Sequence, residues 1–196
     1  FARFAAFVGG ATFEAAQVVT AAELDELQGL VDKQLLRREG SGKEARLTML
    51  ETVRGYALER LEDEEADQTR GRHCDYYLRV VERAEPELFT RGETEWLPKL
   101  DVEIDNLRTA LEWSLRHDPT LALRLAGMLE LFWFVRARYF EGLEWLETAL
   151  AAAGNDAPTA DRARARRAQA RLLGPYGAAY DWQGSQEELK QLEADA

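Results

Sequence analysis

The chain has 196 residues, 46% of them hydrophobic, with a formal net charge of −11 and a pI near 4.8. That is enough apolar material for one large core or two small ones, while the negative balance argues against general attraction to nucleic-acid phosphates or to an anionic membrane, since both need a positive surface field. Cys74 is the only cysteine, so no intrachain disulfide forms, no Cys/His spacing resembles a zinc site, and a reducing cytoplasm is expected.

In chain order, Phe1, Phe4, Ala5 and Val8 predict a helix over 1–8, ended by Gly9-Gly10. The sequence opens on Phe1 rather than Met, inside this pattern, and Arg outnumbers Lys by 21 to 4; a fragment of a longer protein from a high-GC bacterial gene is expected. Thr12 reads as the N-cap of a helix through Val19, and Thr20 as the cap of a third, with Leu24, Leu27, Leu30 and Val31 at spacings of three and four. The period then changes to two. Residues 35–39 and 45–49 predict strands around Gly40-Ser41-Gly42, which supplies the positive φ angles of a hairpin loop. The second strand runs directly into a helix from Glu51, whose Val53, Ala57 and Leu61 share a face and whose acidic start suits the positive end of the macrodipole. Three helices, a hairpin and a helix are the outline of a winged-helix domain, assigned to 1–62.

The remainder reads as helical, giving a mostly α fold. Glu62-Asp63-Glu64-Glu65 with Asp67 marks a solvated helix end or joint. Residues 70–89 place His73, Tyr77, Val80, Ala84 and Leu88 on one face, and 96–116 do the same with Leu100, Ile104, Leu107 and Leu111, Pro98 falling near the start. These segments form a helical connector, 63–117. Pro119 opens a helix that is apolar nearly all round, as in a segment buried on more than one side, and a shorter helix covers about 141–153. No apolar run reaches the roughly 20 residues that span a bilayer. Setting RARYFEGLEWLETAL (136–150) beside QGSQEELKQLE (183–193) gives an offset of 47 residues. That exceeds a tetratricopeptide repeat of about 34 by an amount that the connection AAAGNDAPTAD accounts for. Residues 118–196 are therefore expected to hold tetratricopeptide-like helical hairpins of a truncated array.

Candidate chemistry is sparse. GSGKEA fails as a phosphate loop, because Arg37 and Glu44 stand where the leading glycine and the magnesium-binding Ser or Thr belong. Glu93/Glu95 and Asp101/Glu103/Asp105 read as solvated faces rather than acid–base pairs, which need a pocket that splits their pKa values. His73 reads as a packing histidine; it and Cys74 point about 100° apart on a helix and cannot share a metal. No catalytic or metal residue is assigned. The third helix, the one that would enter a DNA groove, carries Glu23, Asp25, Glu26 and Asp32 against Lys33, with Arg37, Arg38 and Arg46 as partial compensation in the wing. DNA binding by this fragment is not expected. Arg162, Arg164, Arg166, Arg167 and Arg171 form the basic cluster, either a solvated helix or a ligand-facing patch.

FARFAAFVGGATFEAAQVV, LDELQGLVDKQLL, LTMLETVRGYALERL, EIDNLRTALEWSL and RLAGMLELFWFVRARYFEGLEWLETAL, in this order, resemble the region after the nucleotide-binding domain in STAND-type bacterial regulatory ATPases, the AfsR-like and LuxR-like relatives of NB-ARC proteins. The resemblance implies a cytoplasmic transcriptional regulator in signal transduction. Its phosphate-loop ATPase, with ATP or ADP as cofactor, would lie outside this chain, and its winged helix would pack as a lid on that domain. The family's Met-His-Asp motif falls on Met49, Leu50 and Glu51; leucine replaces the histidine and cannot donate to phosphate, which leaves Glu51 and Arg54 as contacts to the nucleotide-binding domain. The helical repeats would bind a protein or small-molecule ligand, with Arg162 and Arg166 as candidate contacts. Tyr176, Tyr180 and Trp182 at the truncated end are candidates for protein contact or self-association. No membrane partner is expected. The alternative is a DNA-binding winged-helix transcription factor with a helical effector domain, and an isolated enzyme ranks third.

Overall fold

A computed structural model describes residues 1–42, 45–61, 63–154 and 159–174. The protein is mostly helical, with ten α-helices and a three-stranded antiparallel sheet among these residues. It divides into two compact units, Phe1–Arg79 with Val102–Trp113, and Val80–Asp101 with the residues from Ser114 onward. Helices α4 (Asp63–Leu88) and α6 (Ile104–His117) contribute residues to both. None of the described helices is long and apolar enough to cross a membrane.

The first unit opens with a 3-10 helix, Ala2–Ala6, in place of the α-helix expected over 1–8. Gly9 and Gly10, both at positive φ (80° and 86°), then turn the chain into β1 (Ala11–Thr12). β1 was not foreseen, because two residues carry no readable alternation. It pairs antiparallel with β3 (Arg46–Thr48), which pairs on its other side with β2 (Arg37–Glu39), so the wing is a three-stranded sheet of order β1-β3-β2. Gly10 is required there: a Cβ would lie 2.5 Å from the Leu47 carbonyl oxygen. Thr12 caps α1 (Phe13–Thr20) as expected, accepting from the Ala15 amide at 3.1 Å. Thr20 does not cap the next helix. It ends α1, donating its hydroxyl to the Ala16 carbonyl, and α2 (Leu24–Asp32) starts at Glu23, whose amide donates to Glu26 at 2.8 Å. The Glu26 carboxylate, three residues on, completes a capping box with Glu23 and serves the free amides in place of the expected hydroxyl. α3 (Glu51–Glu59) follows β3 after Met49-Leu50, as the strand-to-helix join predicts. The core gathers Phe4, Phe7, Val19, Leu27, Leu36, Leu47 and Ala57 with His73, Tyr77, Leu107 and Leu111.

In the second unit, α5 (Glu93–Val102) contains Pro98 at its sixth position, later than expected. The single apolar helix expected after Pro119 is two, α7 (Pro119–Met128) and α8 (Glu130–Val135), separated at Leu129. Asp118 caps α7, with Pro119 at its first position. α9 (Tyr139–Ala153) and α10 (Thr159–Leu173) complete the unit, and α7, α9 and α10 pack on one another. Trp133 and Phe132 are fully buried at the centre. α9 comes in close because Gly142 has no side chain: a Cβ there would lie 2.7 Å from Leu172 and 2.8 Å from Trp133. The second member of the proposed repeat, 183–193, lies outside the described residues.

Candidate functional site: a buried polar hub in the first unit

Glu103 occupies the one-residue break between α5 and α6, and its carbonyl accepts from the Leu107 amide, the first backbone bond of α6. Its carboxylate and the side chain of Asn106, one turn on, lie together. The Asn106 amide makes four hydrogen bonds, its full capacity. Oδ1 faces the Val8 amide at 2.9 Å and His73 Nε2 at 3.3 Å; Nδ2 donates to the Gly10 carbonyl at 2.9 Å and to Glu103 Oε2 at 2.8 Å. Because Val8 N–H can only donate, Oδ1 must face it, and His73 is the tautomer that donates from Nε2. Glu103 in turn accepts from the Tyr77 hydroxyl at 2.8 Å and pairs in a fork with Arg46 of β3. Arg46 Nη2 also donates to the Gly10 carbonyl at 3.0 Å. One carboxylate and one amide thus tie together the wing, the Gly9-Gly10 turn, α4 and α6.

The electrostatics follow from enclosure. The side chains of Arg46 and Glu103 are only 16% and 12% exposed, so each depends on the other for solvation. Burial opposes the Arg46 charge, but the hydrogen bond and charge of Glu103 outweigh it, and the guanidinium pKa rises above its ordinary value. Burial first, and the Glu103 charge second, push the Tyr77 phenol well above the usual tyrosine range. Burial lowers His73 from 6.5 to about 4 despite its bond to Asn106, so it is neutral at physiological pH, its ring set at a tilt between those of Phe7 (5.3 Å) and Tyr77 (4.6 Å). The packing role read for His73 holds. The solvated reading of Glu103 does not: its neighbours differ from those of Asp105, which pairs along its own helix with Arg108 at 2.8 Å, and of Asp101, which pairs with Arg136 at 2.6 Å. Glu103, Asn106 and Ala110 follow one another at spacings of three and four beside Leu107, so a polar pair at core spacing was the available signal.

The sequence-derived candidates fall elsewhere. Leu50 is exposed at the start of α3, and Glu51 is exposed with its carboxylate 3.1 Å from Arg54. Arg54 itself is spent on the chain, donating to the Ala5 and Phe7 carbonyls at 3.2 Å. Met49 is half-buried between β3 and α3. Tyr176, Tyr180 and Trp182 lie outside the described residues. On α10, Arg166 bonds Gln169, and Arg162 is partly exposed. Arg164 pairs with Glu85 and Asp161, and Arg171 reaches Glu130 at 2.9 Å, with Arg167 at 3.7 Å. Glu130 is 3% exposed, so much of this basic cluster serves to neutralise acids of its own unit.

Against known proteins, the chain is 38% identical over 161 residues to three mycobacterial proteins, one from Mycobacterium bovis and two from strains of Mycobacterium tuberculosis, each named "Putative HTH-type transcriptional regulator". The match covers 76% of this chain and 18% of each relative. The chain therefore spans less than a fifth of the length of the curated relatives it matches. No family profile matches the chain, and no solved structure matches it.

Proposed function

We propose that this chain is a non-catalytic regulatory segment of a bacterial transcriptional regulator, in which the winged-helix-like first unit serves as an interdomain element and the second unit as a protein-interaction scaffold. The similarity to the mycobacterial regulators carries the coarse part of this reading. The finer part, a STAND-type arrangement with a nucleotide-binding domain outside this chain and tetratricopeptide-like repeats in 118–196, rests on the resemblance of the ordered sequence blocks. The charge distribution supports an interdomain role over DNA contact. Glu23, Asp25, Glu26 and Asp32 are all exposed on or beside α2, and Arg46, one of the wing cations, is committed to Glu103. A helix presented to phosphates with four carboxylates and one lysine repels them.

The second reading, a DNA-binding winged helix, is favoured by the HTH-type name of the relatives and by the exposed Arg37 and Arg38 of β2. A mobility-shift series with duplex DNA and increasing salt decides between the two. No sequence-dependent complex is expected above roughly 150 mM salt, whereas one that survives there reverses the order of the readings. Calorimetry with ATP and ADP tests the assignment of nucleotide to a domain outside the chain: micromolar binding by the purified chain would overturn it.

A further inference from the structure

Among its described residues the β-hairpin has a small apolar attachment, to which Arg38 adds a cation contact over the Phe13 ring of α1 at 5.7 Å. All three residues of β2 are exposed, β1 contributes two pairs to the sheet, and the apolar anchors of the hairpin are Leu36, Ala45 and Leu47. Beside it, Tyr77 of α4 and Leu107, Ala110 and Leu111 of α6 are all fully buried, and Cys74 of α4 reaches the Ala110 carbonyl at 3.6 Å. Between these two regions of unequal strength stand Glu103 and Asn106. Asn106 binds the amide of Val8 and the carbonyl of Gly10, so its side chain spans the two glycines at positive φ and holds that turn closed. Glu103 grips the wing through Arg46, the one hub member that comes from the hairpin.

We propose that Glu103 and Asn106 form a conformational latch: they fix the Gly9-Gly10 turn and the β2–β3 hairpin against α4 and α6, and when the latch breaks the wing is released as a unit while the helices stay folded. Elements with few buried apolar contacts open first, at a free energy below that of global unfolding. The hub is what raises the wing above that level. Its bonds to Glu103 and Arg46 are charge-assisted and largely shielded from water, and the Gly9-Gly10 turn resists displacement only while Asn106 holds both of its ends. Anything that separates α6 from the wing by the length of one hydrogen bond would therefore set the wing free, whichever partner the wing serves. The device lies wholly within this unit and does not depend on the transcriptional reading.

Native-state hydrogen exchange on the whole chain tests the latch, comparing the wild type with Glu103→Gln and Asn106→Ala. Protection of the Val8 amide and of the amides over 37–48 is expected to fall by roughly tenfold to a hundredfold, the loss of a hydrogen bond to a charged or buried group. Amides of α4 over 66–79 and of α6 over 107–113 should keep their wild-type protection. Equal loss in wing and helices would overturn the proposal, because the hub would then be part of the global core; an unchanged wing would overturn it as well. Should a single variant fail to fold, Arg46→Met combined with Glu103→Leu removes both charges and leaves none unpaired. The same selective loss in the wing is expected, and the same two results would refute it.

Discussion

The Tyr77 hydroxyl donates to Glu103 Oε2 at 2.8 Å, linking the middle of α4 to the first residue before α6. The phenol is fully buried and meets a carboxylate that already holds Arg46 and Asn106. Tyr77→Phe is expected to destabilise the first unit by about 1–2 kcal/mol, since the carboxylate keeps its other partners. Urea unfolding measures it, and a loss indistinguishable from zero would mean that water replaces the hydroxyl. The raised phenol pKa has a sign of its own. The neutral form is favoured in the fold, so this contribution is complete below pH 10 and disappears as the pH rises above it.

His73 makes stability fall on acidification. Its pKa is about 4 in the fold against 6.5 when free, so below pH 6.5 the unfolded chain binds the proton that the folded chain refuses. The contribution is complete above pH 6.5 and is lost progressively down to about pH 4, reaching roughly 3 kcal/mol. His73→Gln keeps a donor near Asn106 but does not titrate. Its unfolding free energy between pH 7 and pH 4.5 should be flatter than that of the wild type, and parallel curves would assign the acid sensitivity to other groups.

Gly142→Ala is expected to destabilise the second unit by about 1–3 kcal/mol, because the new methyl group would meet Leu172 and Trp133 below 3 Å. Trp133 is part of that contact, so the near-ultraviolet circular dichroism of the buried indole should change together with the melting temperature. A fully wild-type melting curve would show that α9 can shift outward at no cost.

Glu130 and Arg171 make an asymmetric pair, 4% and 40% exposed at the side chain. Removing the arginine leaves the buried carboxylate with only the more distant Arg167 at 3.7 Å among the described residues and also takes away a cation near the Phe89 ring at 5.8 Å, so Arg171→Ala should cost about 2–4 kcal/mol. Arg171→Met combined with Glu130→Leu leaves no charge behind and should cost much less than the single change. Thermal unfolding of the two variants compares them, and the reverse order would show that Arg167 alone suffices for Glu130.

Local signals in the sequence determined much of this protein. The cap at Thr12, the glycines at 9, 10, 40 and 42, the join at Glu51 and the apolar stripes of α4 and α6 depend on residues within a few positions of one another, and the mostly helical fold with its hairpin follows from them. So does the burial of His73, which its place on an apolar stripe announces. Tertiary structure alone decided the rest. β1 exists because β3 offers a free edge to two residues too few to carry a period, and Glu103 is a buried partner rather than a solvated acid because Arg46, 57 positions away, and Tyr77, 26 away, arrive beside it. The charge of a residue is written in the chain, but whether water or another side chain solvates it depends on which distant segments fold against it.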